Sequence, residues 1–373
     1  MAELSNQAHI ANCWRKKARM QRSMNCNFQM TNKTSALQQW LEKIWYQGGK
    51  GKYLLLPLSA LYCTLNRLQR NLQTPTQNYL PCPVIVVGNI TVGGTGKTPL
   101  TVYLVKLLQE QGFSPAIITR GYGGKALNWP QKVNAESDPK LVGDEAVLMA
   151  IRTGVPVYAG PNRIENIRQC LHDQYCNIII SDDGLQHYKL PRDIQIAVID
   201  GERKLGNGLC LPAGPLREKK QRLQHCDFVV VNGQNFNSQN PKSNNWIEMH
   251  MQGAELINLK TGEKKALQDL AGKTVNALTG IGNPQRFYTT LEQSGLKVLS
   301  HSYPDHYQFQ KRDLHLENDF PVLMTEKDAV KCKDFANENC WYLPVEASLD
   351  TSFAKKFLAQ VYFVLGDEGK LNR

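Results

Sequence analysis

The chain has 373 residues, enough for two domains with cores of their own, and its 42% hydrophobic and 21% charged content is ordinary for a globular protein. A net charge of +11 suits an acidic partner, whether nucleic acid, a phosphorylated ligand or an anionic membrane surface, without choosing among them. The ten cysteines are scattered, with no C-x-x-C pair and no His/Cys cluster at zinc spacing, so a mostly reduced, cytosolic chain is expected.

Residues 1–29 are polar and carry Arg15, Lys16, Lys17, Arg19 and Arg22 against Glu3, without the apolar core of a signal peptide. They read as a disordered or non-native leader, with Met30 as the working start; an organelle transit peptide is the alternative. Residues 30–83 are expected to hold a helical segment and a linker. Trp40, Trp45 and Tyr53 precede an apolar run, Leu54-Leu55-Leu56-Pro57-Leu58 with Leu61, Tyr62, Leu65 and Leu68, which a proline interrupts and Lys50, Lys52, Arg67 and Arg70 flank. The run is shorter than the ~20 apolar residues that a spanning helix needs. Leucines, aromatics and flanking cations suit a helix lying in a membrane interface, or else one packed on the next domain.

The most informative stretch is residues 84–100, VIVVGNITVGGTGKTPL. Val84 to Val87 form a short buried-strand pattern. Gly93-Gly94-Thr95-Gly96-Lys97-Thr98 then opens a helix whose Leu100, Tyr103, Leu104, Leu107 and Leu108 share one face, with Gly112 ending it. Strand, glycine loop, Lys-Thr and helix make the layout of a phosphate-binding P-loop. Backbone N–H groups of the loop turn toward phosphates, the helix N-terminus adds partial positive charge, Lys97 reaches the outer phosphates and Thr98 offers a hydroxyl to Mg²⁺. Thr91 stands where the strict spacing has glycine.

From residue 84 to 235 strands and helices alternate, which implies a P-loop α/β domain with a parallel sheet covered on both faces. The expected strands are 116–119, 155–158, 177–181, 194–199 and 228–231, with helices over 143–152 and 162–174. Residues 236–260 read as a linker turning β-like. A second, smaller α/β domain within 236–373 would use strands at 274–279, 296–301, 321–325 and near Trp341, a helix at 284–294, and a terminal amphipathic helix over 352–365. There are no repeats.

Asp182 and Asp183 end an apolar strand, where an NTPase keeps its Mg²⁺-holding carboxylate; an Asp pair there is also a common turn. Asp144 and Glu145 sit at a helix start, either as dipole-stabilising acids or as a base for a hydroxyl nucleophile with its neighbour near the metal. His306 lies in Tyr303-Pro304-Asp305-His306-Tyr307, with Asp305 able to orient its ring. Arg120 and Arg217, the latter in the rigid loop LPAGPLRE, are candidates for charged substrate groups. MTEKDAVK reads as a strand end turning into a helix.

Together VVGNITVGGTGKTP, TRGYGGK, VGDEA, SDDGLQHY, LPAGPLRE, LTGIGNP, PDHY and MTEKDAVK, in this order over residues 40 to 345, resemble the tetraacyldisaccharide 4'-kinase family. Tyr307 stands where a second histidine often occurs in that turn. The resemblance implies transfer of the ATP γ-phosphoryl group to the 4'-hydroxyl of an acylated glucosamine disaccharide 1-phosphate in lipid A synthesis. It also implies Mg²⁺ and peripheral or monotopic work at the cytoplasmic face of the bacterial inner membrane, with no nucleic acid and no obligate protein partner. Carried over, Gly93 to Thr98 cradle the nucleotide and Lys97 grips its phosphates. Asp144 is the base, and His306 reaches in from the second domain to support it. Thr98, Glu145 and Asp182 place the metal, and Asp183 joins the catalytic network. The rival is a partner-regulated P-loop ATPase of the membrane-associated or metal-cluster-carrier type, which usually places a lysine where this chain has Val92.

Overall fold

The computed structural model describes residues 36–73, 80–233 and 245–371; the leader expected over 1–29 lies outside them. Two helices come first, α1 (Ala36–Gln47) and α2 (Lys52–Leu72). The alternating stretch follows as β1 (Val84–Gly88), α3 (Lys97–Glu110), β2 (Pro115–Thr119), β3 (Gln131–Val133), the single turn α4 (Pro139–Val142), α5 (Asp144–Thr153), β4 (Val157–Ala159), α6 (Arg163–Asp173), β5 (Ile178–Asp182), β6 (Ile194–Asp200) and β7 (Phe228–Asn232). Next come β8 (Trp246–Gln252), β9 (Glu255–Asn258), β10 (Lys264–Ala266), β11 (Thr274–Thr279), α7 (Pro284–Gln293), β12 (Lys297–Ser302), β13 (Val322–Thr325), α8 (Glu326–Cys332) and β14 (Cys340–Leu343). β15 (Glu346–Leu349) and α9 (Thr351–Leu371) end the described chain.

Among the described residues these strands form two sheets, ordered β15-β8-β7-β6-β1-β5-β2-β4-β3 and β10-β9-β14-β13-β11-β12. The first is parallel from β8 to β4 and antiparallel only at its edge strands β3 and β15. Every residue of β1 is buried because both faces are covered. Ile85 and Val87 pack with Leu100, Leu104 and Leu108 of α3, while Val84 and Val86 pack on the other side with Ile164 and Ile167 of α6. Register sets Val87 beside Asp182, so the glycine loop after β1 and the acids after β5 emerge together at the carboxyl end of the sheet.

The two sheets do not divide at residue 236. β8 extends the first sheet beside β7, and after β14 the chain returns to it through β15. The terminal helix belongs there too: Phe353, Phe357 and Val361 of α9 are fully buried in the core that holds Phe228 and Val230. An apolar stripe of period 3.6 shows that a helix has a buried face but not which sheet receives it.

The expected helix is α2, which runs through Pro57 in its second turn. Its faces are inverted. Ser59 is buried and donates to the Cys210 carbonyl at 2.8 Å, and Asn66 donates to the Arg217 carbonyl at 2.9 Å, so the polar side packs on the loop after β6. Leu54, Leu58, Leu61, Leu65, Leu68 and Leu72, spaced along one helical face, are all exposed, Leu54 by 78%. No helix among the described residues is long and apolar enough to cross a membrane.

Candidate active site

The loop between β1 and α3 takes the form that its glycines permit. Gly96, the residue before α3, has φ of +95°, in the left-handed region that a side chain would strain. Lys97 opens the helix, and its Nζ lies 3.4 Å from Asp183 Oδ1. Arg217 approaches the same carboxylate from the loop after β6, Nη1 to Oδ2 3.3 Å. Burial pulls the Asp183 pKa upward, but the Lys97 and Arg217 charges outweigh it and hold the group below the usual carboxylate range. Asp183 also has φ of +48°, uncommon for a residue with a side chain and of a kind that clusters at functional sites.

Asp182 is fully buried at the end of β5. Thr101 of α3 donates to its Oδ1 at 3.3 Å, while Oδ2 has no hydrogen-bond partner among the described residues. Burial and the neighbouring Glu145 charge push its pKa up to about 7. Arg163, itself buried at the start of α6, donates to the backbone carbonyls of Asp182 and Asp183 at 3.5 and 3.4 Å and fixes that turn.

The second sheet supplies the facing wall. Asp144, the first residue of α5, is 4% exposed. His306, in the loop after β12, brings Nδ1 to 3.1 Å from each of its carboxylate oxygens. Lys327 Nζ sits 3.4 Å from the other ring nitrogen, 2.9 Å from Glu145 Oε1 and 3.3 Å from Asp305 Oδ1. A carboxylate only accepts and an ammonium only donates, so these partners place the His306 proton on Nδ1, aimed at Asp144. His306 holds φ of +59° and packs at a tilt against Tyr122, with ring centroids 4.7 Å apart. Lys331, one turn beyond Lys327 on α8, lies 3.7 Å from Asp144 and 2.7 Å from Asp328, in a pocket where all three side chains are at most 4% exposed. Burial raises the Asp144 pKa, but the His306 hydrogen bond and the charges of Lys327 and Lys331 overcome it and bring it down to about 2.

The expected residues therefore meet: Lys97, Asp144, Glu145, Asp182, Asp183 and His306 line one cleft between the sheets, and Lys97 and Lys327 together depress the Glu145 pKa against its burial. Arg217 joins them. Arg120 is exposed, close enough to Arg163 to act on it by charge, and among the described residues makes no ion pair that would take it from a charged substrate group. Tyr307 packs at a tilt against Tyr303 and edge-on against Phe309, and it is the neighbouring His306 of that turn that meets Asp144. Lys327, Lys331, Arg163, Thr101 and Tyr122 had no role assigned from sequence. The i, i+4 spacing of the two lysines, which puts both on one face of a short helix, was the available signal.

The residues fit a divalent cation. Asp182 Oδ2 and Thr95 Oγ1 are buried without partners, and an elevated carboxylate pKa beside a second acid is what a missing positive charge leaves behind. Mg²⁺ takes few protein ligands and leaves its remaining positions to water and phosphate. Asp182 must shed its proton to bind a cation, so Mg²⁺ affinity should strengthen as pH rises through about 7. For the metal-free protein the sign reverses. The folded form holds the proton more tightly than the unfolded chain, whose carboxylate keeps the usual 3.8, so stability falls between pH 3.8 and about 7. Asp182→Asn should thus raise the melting temperature at pH 8 without Mg²⁺ and abolish the further rise that Mg²⁺ gives wild type; calorimetric scans at pH 6 and 8 check both.

The family model described as tetraacyldisaccharide-1-P 4'-kinase matches residues 51–362. A tetraacyldisaccharide 4'-kinase of Nitrosococcus oceani is 45% identical over 320 residues, covering 85% of this chain and 93% of the relative. One of Methylobacillus flagellatus is 46% identical over 331 residues, covering 87% and 97%. The crystal structure of LpxK from Aquifex aeolicus, described as the "apo" form in complex with ATP, superposes with a TM-score of 0.69 at 29% identity, covering 84% of this chain and 99% of that one. With the P-loop, the paired acids and the Asp144–His306 contact all lying within the matched span, the chain belongs to the tetraacyldisaccharide-1-P 4'-kinase family.

Proposed function

We propose that this protein transfers the γ-phosphoryl group of ATP to the 4'-hydroxyl of tetraacyldisaccharide 1-phosphate, and that it works on the cytoplasmic face of the bacterial inner membrane without an obligate protein partner. The observation that carries the reading is the contact of His306 with the buried Asp144, contributed by two sheets and placed across one cleft from Lys97 and the glycine loop. Loop amides and Lys97 hold the phosphates, and the cleft brings the sugar hydroxyl in line with them. Asp144 accepts the hydroxyl proton. Its low pKa makes it a weak base, which suffices when phosphoryl transfer is loose and positioning dominates. His306 then orients the carboxylate, and Lys327 holds Glu145. Mg²⁺, held by Asp182, Glu145 and Thr98, would supply charge neutralisation between the phosphates.

The acceptor's path is supported by a cavity of about 380 Å³ between α2 and the loop after β6, lined by Arg67, Arg70, Tyr188, Arg217, Glu218 and Lys219. Arg217, which pairs with Asp183, lines it together with Arg67 and Arg70 of α2, whose other face carries the exposed leucine row, an arrangement that suits a sugar phosphate whose acyl chains remain in a bilayer. Leu61→Asp with Leu65→Asp should remove most sedimentation with anionic vesicles and raise KM for vesicle-borne acceptor, with ATP binding kept; vesicle binding equal to wild type would sink the membrane reading. The reaction itself is tested with γ-labelled ATP, Mg²⁺ and tetraacyldisaccharide 1-phosphate in detergent micelles. Labelled lipid supports it. ATP hydrolysis without labelled lipid, stimulated by some protein, would favour the partner-regulated ATPase.

A further inference from the structure

The Asp144–His306 contact is not the sole bridge between the two sheets. The segment between β11 and α7, whose Gly282 also approaches Asp305 Oδ2, rests on the glycine loop itself. Gly282 comes so close that a Cβ there would stand 3.0 Å from the Gly94 nitrogen and 3.4 Å from Gly93 Cα. Its carbonyl accepts from Arg203 Nη1 at 3.1 Å. Arg286, one turn further on α7, extends to Asn232 at the end of β7, Nη2 to Oδ1 2.6 Å. Asn232 is 1% exposed, and its Nδ2 donates to the Thr95 carbonyl at 2.9 Å. Gly96 makes room for it: a Cβ at that position would fall 2.4 Å from Asn232 Nδ2.

A P-loop presents its amides to phosphate only if its carbonyls turn the other way, and an unpartnered buried carbonyl is costly. Asn232 gives the Thr95 carbonyl a donor on the outer side. An asparagine amide can face either way, and the wrong way would set its oxygen against that carbonyl. Arg286 removes the ambiguity. A guanidinium only donates, so its hold on Oδ1 obliges Nδ2 to face Thr95. Asp200, 3.8 Å from Arg286 Nη1 and 3.5 Å from Asn283 Nδ2, steadies the arginine and the segment that carries it.

We propose that Arg286 is a positioning residue for ATP: acting through Asn232, it locks the glycine loop in its phosphate-binding form only while the second sheet is seated on the first. The inference rests on the reading of this loop as the ATP site. Coupling of this kind is reciprocal, so bound ATP favours the seated arrangement by the same factor, which also delivers His306 to Asp144. The nucleotide therefore prepares the catalytic pair before the lipid arrives.

The test uses the full chain, a non-hydrolysable ATP analogue with Mg²⁺ in titration calorimetry, and steady-state kinetics with the lipid acceptor. Arg286→Met, at a partly exposed site, and Asn232→Ala should each weaken analogue binding and raise KM for ATP about tenfold, the worth of a charge-assisted hydrogen bond. The double variant should be no worse than Asn232→Ala alone, because one route is broken twice. Arg286→Lys, which keeps a donor, should recover part of the loss. Arg152→Met breaks a different contact between the sheets, Arg152 to Glu326 at 2.8 Å, and should lower thermal stability without weakening the analogue. Arg286→Met that binds the analogue like wild type, or losses that multiply in the double variant, overturns the proposal. So does a fall in kcat with ATP affinity intact, the mark of a loosened second sheet that carries His306 out of place. A wild type that neither binds ATP nor labels lipid sinks the kinase reading itself, whereas a normal wild type beside an indifferent Arg286→Met sinks only this inference.

Discussion

Asp144→Asn should lower kcat for phosphoryl transfer by about two to four orders of magnitude, the usual contribution of a positioned base, while ATP binding persists. The substitution preserves shape and can still accept the His306 Nδ1 hydrogen bond, so the contact that aligns α5 with the loop after β12 survives. What disappears is an anionic acceptor for the hydroxyl proton. Because the wild-type carboxyl is held near 2, it is ionised throughout the working pH range, and no acid limb of the rate should trace to it. An acid limb near 7 should trace to Asp182 and shift to lower pH as Mg²⁺ is raised, since metal and proton compete for one oxygen. Rates measured with labelled ATP beside analogue titration settle the matter. A loss below about tenfold would move the base elsewhere, with Asp182 the first alternative.

Lys331→Met should cost about 3–5 kcal/mol of stability, among the larger effects of any single change in this molecule, because it strips the counter-charge from buried carboxylates. Lys331 and Asp328 are 1% and 0% exposed, and their 2.7 Å contact is an ion pair that lacks hydrogen-bond alignment. Asp328 cannot simply turn to water, since its Oδ2 accepts from Thr279, the Gly280 amide and Thr325 and so shapes the turn after β11. The explanation makes a second demand. Adding Asp328→Asn to Lys331→Met should restore much of the loss, as Asp328 is then neutral and Asp144 keeps His306 and Lys327 as partners. Urea unfolding of the four proteins reads the cycle. Additive losses would mean that Lys331 matters through the packing of its stem on Phe309, which its ammonium overlies at 5.1 Å, and not through charge.

Local chemistry was legible in advance because local rules govern it. Four β-branched residues followed by glycines and Lys-Thr can hardly form anything but a strand, a turn and a helix start, and Lys97 is where that pattern puts it. Asp144 and Glu145 open α5 as their place before an apolar stripe predicts, and Asp182 closes β5. The strand at Thr274–Thr279 has the bounds expected of it. Pro57 interrupts the apolar run without ending α2, because a proline in the second turn of a helix removes one backbone bond, and the turns beyond it still form.

The sequence by itself determined the P-loop, the alternation of strands and helices, the pairing of acids at element ends and, through its motifs, the family. Only the tertiary structure decided which acid meets which base. His306 reaches Asp144 across 162 positions of sequence, Lys327 reaches Glu145 across 182, and Arg286 reaches Asn232 across 54. Such contacts depend on how one sheet is seated on another, and no local periodicity encodes that. The same holds for α9, whose stripe names no receiving sheet, and for α2, whose leucines face outward because its serine and asparagine satisfy backbone carbonyls within. Composition dictates that a face is apolar; the packing of everything else decides whether that face is covered.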